Sequence, residues 1–89
     1  MPSPTLEAAE VVRRGQEIYD REIRARVEPE HRGEFIVIDI ETGDYEIDAR
    51  EVAAIQRSIA KHPDGRRCLL RIGFPYTHRI GGLTSRLNR

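Results

Sequence analysis

Phe35-Ile36-Val37-Ile38-Asp39-Ile40, then Glu41-Thr42-Gly43-Asp44, then Tyr45-Glu46-Ile47-Asp48 is the stretch that decides the fold. Its first six residues are dense in β-branched side chains and apolar on both faces. That pattern marks a strand at the centre of a sheet. Thr42-Gly43-Asp44 supplies turn chemistry, and Tyr45-Glu46-Ile47 returns as a second strand. Pairing Ile40 with Tyr45 and Ile38 with Ile47 sets all four on one face, so the alternation predicts a hairpin in that register.

Upstream, Ala8, Val11, Val12, Gly15, Tyr19, Ile23 and Val27 recur at three- and four-residue steps, one apolar stripe on a helix. Arg13, Glu17, Arg21 and Arg24 fall on its solvent side. Ser3 or Thr5 is placed to cap it, Gly15 is its weak point and a place where it divides, and Pro29 is expected to end it. Downstream, Asp48 is the expected N-cap, with Glu51 three residues later in a capping-box relation. The second long helix is predicted over Ala49 to Lys61, burying Val52, Ile55 and Ile59. His62 would sit near its negative C-terminal end, and Pro63-Asp64-Gly65 stops it. Arg67 to Ile72 alternates as a third strand, Gly73-Phe74-Pro75 turns, and Tyr76 to Ile80 reads as a short edge strand.

The order is α-β-β-α-β-(β), an α+β fold expected as a small two-layer sandwich on a mostly antiparallel sheet in spatial order 2-1-3-4. A parallel placement of the third strand beside the second stays open. Residues 1–82 make a single domain, and 83–89 a basic flexible tail.

Composition narrows the function classes. The chain has 89 residues, 38% hydrophobic and 34% charged, enough for one core and too few for two. No apolar run approaches membrane-spanning length, and no signal-peptide pattern is present. A lone Cys68 excludes an internal disulfide and suits a reducing cytoplasm. Residues 1–65 carry all fifteen acids against nine Lys/Arg. From Arg66 onward there are six arginines and no acid.

The motifs that suggest chemistry fall short of it. Ile38-Asp39-Ile40-Glu41-Thr42-Gly43 approaches the aspartic-protease pattern of an apolar strand followed by Asp-Thr-Gly, but Glu41 stands where the catalytic Asp belongs. Glu34, Asp39, Glu41, Asp44, Glu46 and Asp48 form an acidic hairpin whose alternation spreads the carboxylates instead of converging them on a metal ion. Arg67 and Arg71 on the third strand are its expected counter-charges. His31, His62 and His78 lack ligand spacing, Cys68 falls on the core face, and Ser58 has no glycine elbow. These residues predict no catalytic site, no metal and no cofactor.

Two binding surfaces remain. Ile36, Ile38, Ile40, Tyr45, Ile47, Cys68, Leu70 and Ile72 share one side of the sheet, which two amphipathic helices can cover. Phe35, Val37 and Leu69, ringed by Asp39, Glu46, Arg67 and Arg71, occupy the other. Left exposed, Phe35, Val37, Leu69, Arg67 and Arg71 would form an interface for a protein partner or a second copy of the chain. If the first helix crosses to cover that side, the domain has three layers and no such patch. The alternative is nucleic acid, bound through Arg79, Arg86 and Arg89 with Phe74, Tyr76 and His78 to stack on bases.

Gly15-Gln16-Glu17-Ile18-Tyr19, Val27 to Phe35 (Val-Glu-Pro-Glu-His-Arg-Gly-Glu-Phe) and Ile38 to Asp48, with His62-Pro63-Asp64 and His78-Arg79-Ile80-Gly81-Gly82, carry a resemblance over about residues 12–82. The chain resembles a family of short uncharacterised bacterial proteins often encoded beside small retropepsin-like aspartic proteases, an arrangement like that of toxin–antitoxin pairs. The resemblance implies an antitoxin-like, non-catalytic companion of a neighbouring protein, and it transfers no catalytic residue.

Overall fold

The structure, a computed structural model, describes residues 4–74. The elements run α1 (Pro4–Ile18), a π-helical turn (Tyr19–Ile23), α2 (Arg24–His31), β1 (Phe35–Asp39), β2 (Tyr45–Asp48), α3 (Glu51–Lys61) and β3 (Arg67–Arg71). The α+β class, the element order and the antiparallel sheet are those expected from the sequence. The strand order is β2-β1-β3, with β1 central and antiparallel to both neighbours. The expected edge strand Tyr76 to Ile80 and the tail from Leu83 lie outside the described residues, as does Ser3.

Val11, Gly15, Tyr19, Ile23 and Val27 are all buried, and they recur at strict four-residue steps. On an α-helix of 3.6 residues per turn that spacing drifts by about 40° per step. A stripe of this length would wind off the sheet. The π-helical turn, in which the Arg24 N–H bonds the Tyr19 carbonyl, takes up the drift and returns Val27 to the core. The helix therefore changes register after Ile18 instead of dividing at Gly15. Gly15 serves another purpose: a methyl group there would fall on the Cβ of Cys68 and 2.5 Å from its Sγ. Its absence lets α1 lie directly on β3.

Pro29 does not end the helix; α2 runs two residues past it, to His31. The proline sits in the exposed last turn, where it forfeits one bond, and the true stop is Gly33 at φ +92°, a backbone conformation that side chains resist.

The hairpin register is shifted by two from the expected one. Ile36 faces Ile47 and Ile38 faces Tyr45. Because the shift is even, the same side chains keep the same face. Its cause is a connection longer by two residues at its start, 39–44 in place of 41–44: Asp39 N–H bonds Asp44 O (2.8 Å) and Gly43 N–H bonds Asp39 O (2.7 Å), with Gly43 at φ +82°. Ile40 is thereby freed to bond Arg66 O on the opposite side of β1 (2.9 Å).

The helices divide between the two faces. Cys68, against which α1 packs at Gly15, and Arg67, whose Nε donates to Ser58 Oγ on α3 (3.3 Å), are adjacent in β3 and point to opposite faces. Glu46, in register with Val37, is held by Arg57 and Lys61 of α3. Thus α1 covers the Cys68 face and α3 covers the Val37 face, giving three layers. The sequence expectation places both helices on the first side or sends the first helix to the other, whereas α3 is the helix that crosses.

The buried side of α3 is Ala54, Ile55 and Ser58, whereas Val52 is 55% and Ile59 38% exposed. Asp48 is not the N-cap. It ends β2 and accepts a bond from the Arg50 N–H (2.8 Å), an Asx turn that delays the helix until Glu51.

Candidate interaction surface

The division of the helices removes most of the expected interface. Val37 is fully buried and Leu69 nearly so, because α3 lies over their face. Arg67 is half-buried and turned inward, its guanidinium donating to the His62 carbonyl and to Ser58. The acidic hairpin is neutralised by residues other than Arg67 and Arg71. Arg57 pairs with Glu46 and Asp48 (each 2.9 Å) and also donates to the Ile47 carbonyl (2.6 Å). Lys61 lies 2.6 Å from Glu46, and Arg66 bridges Glu41 and Glu7 (each 3.2 Å). The Lys61 ammonium, with Arg57, holds the Glu46 carboxyl below its ordinary range. The Arg50 N–H and then Arg57 do the same for Asp48.

One buried carboxylate stands at the end of the sheet where β1 turns towards β2. Asp39 is 1% exposed. Its Oδ2 accepts from the Thr42 hydroxyl (2.7 Å), and its Oδ1 has no hydrogen-bond partner among the described residues. Gly65 packs so closely on this carboxylate that a methyl group there would meet Oδ1 and lie 3.1 Å from Cγ. His62 follows α3, with Nδ1 3.9 Å from Asp39 Oδ2 and Nε2 3.0 Å from Asp44 Oδ2. The His62 hydrogen bond is the main reason that the Asp44 carboxyl titrates below its ordinary range. The cluster ties the loop, α3 and the start of β3 together. Thr42-Gly43 acts as turn chemistry here, closing the loop through Asp44 N–H to Thr42 Oγ1 (3.1 Å). Among the described residues no group of three or more His, Cys, Asp or Glu side chains is placed to hold a metal ion. Cys68 is fully buried, and burial pushes its thiol up to about 12.

What remains of the expected interface is gathered at the opposite end of the sheet. Phe35 stands in register between Asp48 and Arg71. The Arg71 guanidinium lies over two rings, 5.2 Å from the centre of Phe35 and 4.6 Å from that of Phe74, and its Nε donates to Gly33 O (3.1 Å). Phe74 is 48% exposed. It follows Gly73, whose φ of +90° turns the chain, and the Gly73 carbonyl accepts from Arg32 Nη1 (3.4 Å). The Val52 end of α3 begins just beyond Asp48, at this same end. An aromatic–arginine–aromatic stack and the exposed Val52 thus share this end of the sheet, while Ile59, the other exposed large apolar side chain among the described residues, lies towards the far end of α3.

The sequence pointed to Phe35 and Arg71 as interface residues and to Phe74 as a ring in a turn for stacking on bases, and it placed Val52 in the core. Phe74 carried a signal, since Arg71, Gly73 and Phe74 place a cation and a ring either side of a turn glycine. Val52 carried none. Arg79, Arg86 and Arg89, the residues of the nucleic-acid alternative, lie outside the described residues, as do Tyr76 and His78. No helix among the described residues is long and apolar enough to cross a membrane. No family model, no curated protein and no solved structure matches the chain.

Proposed function

We propose that this protein is a non-catalytic interaction module that holds a protein partner at the Phe35–Arg71–Phe74 end of its sheet. The observation that carries this reading is the Arg71 guanidinium clamped between two phenylalanine rings, one of them half exposed. Arginine and aromatic side chains dominate binding energy at interfaces, most of all where their geometry is set before the partner arrives. The remaining polar groups support the same reading. Thr42, Asp44, His62, Arg57 and Lys61 are engaged in holding the fold, the Thr42 hydroxyl closing its own turn on Asp39.

The partner is a different protein, in keeping with the antitoxin-like companion implied by the resemblance to bacterial proteins, and both act in the cytoplasm. A second copy whose two-fold axis passed through the stack would set Arg71 against Arg71, so this reading takes a different protein as the partner. The test is capture from a lysate of the source cells by the tagged chain, beside its Phe74→Asp variant, read by mass spectrometry. One protein near stoichiometric amounts, lost with the variant, supports the module. Capture of nucleic acid instead, or of nothing above background, overturns it.

A further inference from the structure

Three arginines lie at this end of the sheet. Arg32 precedes Gly33, Arg50 follows the end of β2 that pairs with Phe35, and Arg71 lies between Phe35 and Phe74. All three are exposed, and none forms an ion pair among the described residues. The other cations near the sheet are engaged: Arg57, Lys61 and Arg66 pair with carboxylates, and Arg67 is half-buried with its guanidinium on Ser58 and the His62 carbonyl. The exposed cations of the sheet without an ion pair among the described residues are therefore those at the Phe35–Phe74 end.

From this we infer that the surface receives an acidic segment of the partner protein, in which a carboxylate meets Arg71 while a neighbouring apolar side chain packs on Phe74 and Val52. The inference rests on the interaction-module reading and names the chemistry of its partner. Two rings and the Gly33 carbonyl fix the Arg71 side chain, leaving its terminal nitrogens without a partner among the described residues. A planar guanidinium held in this way matches a carboxylate bidentately and loses little side-chain freedom on binding. Arg32 and Arg50 extend the positive field to either side.

A phosphate backbone fits less well. The full chain carries fifteen acidic side chains and fifteen Lys/Arg, so it is neutral and offers a long polyanion no net attraction, whereas a short acidic segment samples only the local arginines. Val52 adds to the preference, because an aliphatic side chain offers no face for base stacking.

The probes are a labelled peptide of alternating glutamate and leucine, its glutamine counterpart, and a short single strand of DNA, each titrated into the isotopically labelled full chain and followed by NMR. The glutamate peptide should move the signals of Arg71, Phe74, Arg50 and Val52, and bind at least tenfold more tightly than the glutamine peptide. Arg71→Gln should remove that preference while keeping native signal dispersion. Should that variant fail to fold, Arg50→Gln should reduce the preference in its place. Equal binding of the two peptides, shifts confined to other surfaces, or tighter binding of the DNA strand would overturn the inference. If the lysate partner is still captured equally by Arg71→Gln, the acidic-segment inference fails while the module reading stands. Absence of any captured partner fails the module reading itself.

Discussion

Gly15→Ala separates two opposed physical effects and so tests the packing of α1 on β3. In an exposed helix the change should stabilise by about 1 kcal/mol, because alanine is the better helix former. Here the added methyl would meet the Cβ of Cys68 and lie 2.5 Å from Sγ, with the Ile40 methyl at 3.8 Å. Cys68 is fully buried in a strand bonded to β1, so no flexible side-chain end can swing away. The helix must lift, and overpacking of this kind costs about 1–3 kcal/mol. With the contact atoms this rigid, the upper end applies. The net loss after the propensity gain is then about 2 kcal/mol. For a domain of this size that lowers the melting temperature by roughly 8–16 °C. Circular dichroism melts and urea titration measure it, with Arg14→Ala on the exposed side as a control expected within about 0.5 kcal/mol of wild type. Cys68→Ala removes Sγ but leaves Cβ, so combining it with Gly15→Ala should restore only part of the loss. A Gly15→Ala protein that melts at or above the wild-type temperature would refute the close approach of α1 to β3.

Three other outcomes follow from the same geometry. Val37→Lys should unfold the chain, since an unpaired ammonium beneath α3 costs about 3–5 kcal/mol; a folded, cooperative variant would show that the Val37 face is open. Asp44, Glu46 and Asp48 titrate below their ordinary values of 3.8, 4.5 and 3.8, so each adds stability above that value and loses it as pH falls through the lower folded-state value. Urea midpoints should therefore drop below about pH 4, Glu46→Gln should flatten that limb, and an unchanged limb in the variant would remove Glu46 from the account. Cys68, with its thiol pushed up to about 12, should resist alkylation at pH 8 until urea unfolds the chain, and stoichiometric labelling of the native protein would contradict its burial.

Element type was legible in the sequence wherever one period dominated. The β-branched run from Phe35 to Ile40 announced a central strand, and Thr42-Gly43 its turn, because alternation and glycine act over a few residues. The π-helical turn was also written there, as the strict four-residue recurrence from Val11 to Val27, although a stripe of three- and four-residue steps concealed it. Of the candidate surface, Phe35 and Arg71 could be named in advance, as members of the second sheet face and its charged rim, and Phe74 as a ring able to stack.

The covering of each sheet face depended on the tertiary structure. Val37 and Leu69 have the same alternation whether α3 lies above them or not, and Val52 has the same helical spacing as a core residue. Local periodicity says which residues share a face; it does not say what meets that face. That choice rests on contacts between segments far apart in the chain. Gly15 must be small because Cys68 lies beneath it, and Arg57 must reach Glu46 from α3. The buried patch, the inward turn of Arg67 and the exposed Arg71 stack all follow from those few long-range contacts, in which shape and charge, not period, decide the outcome.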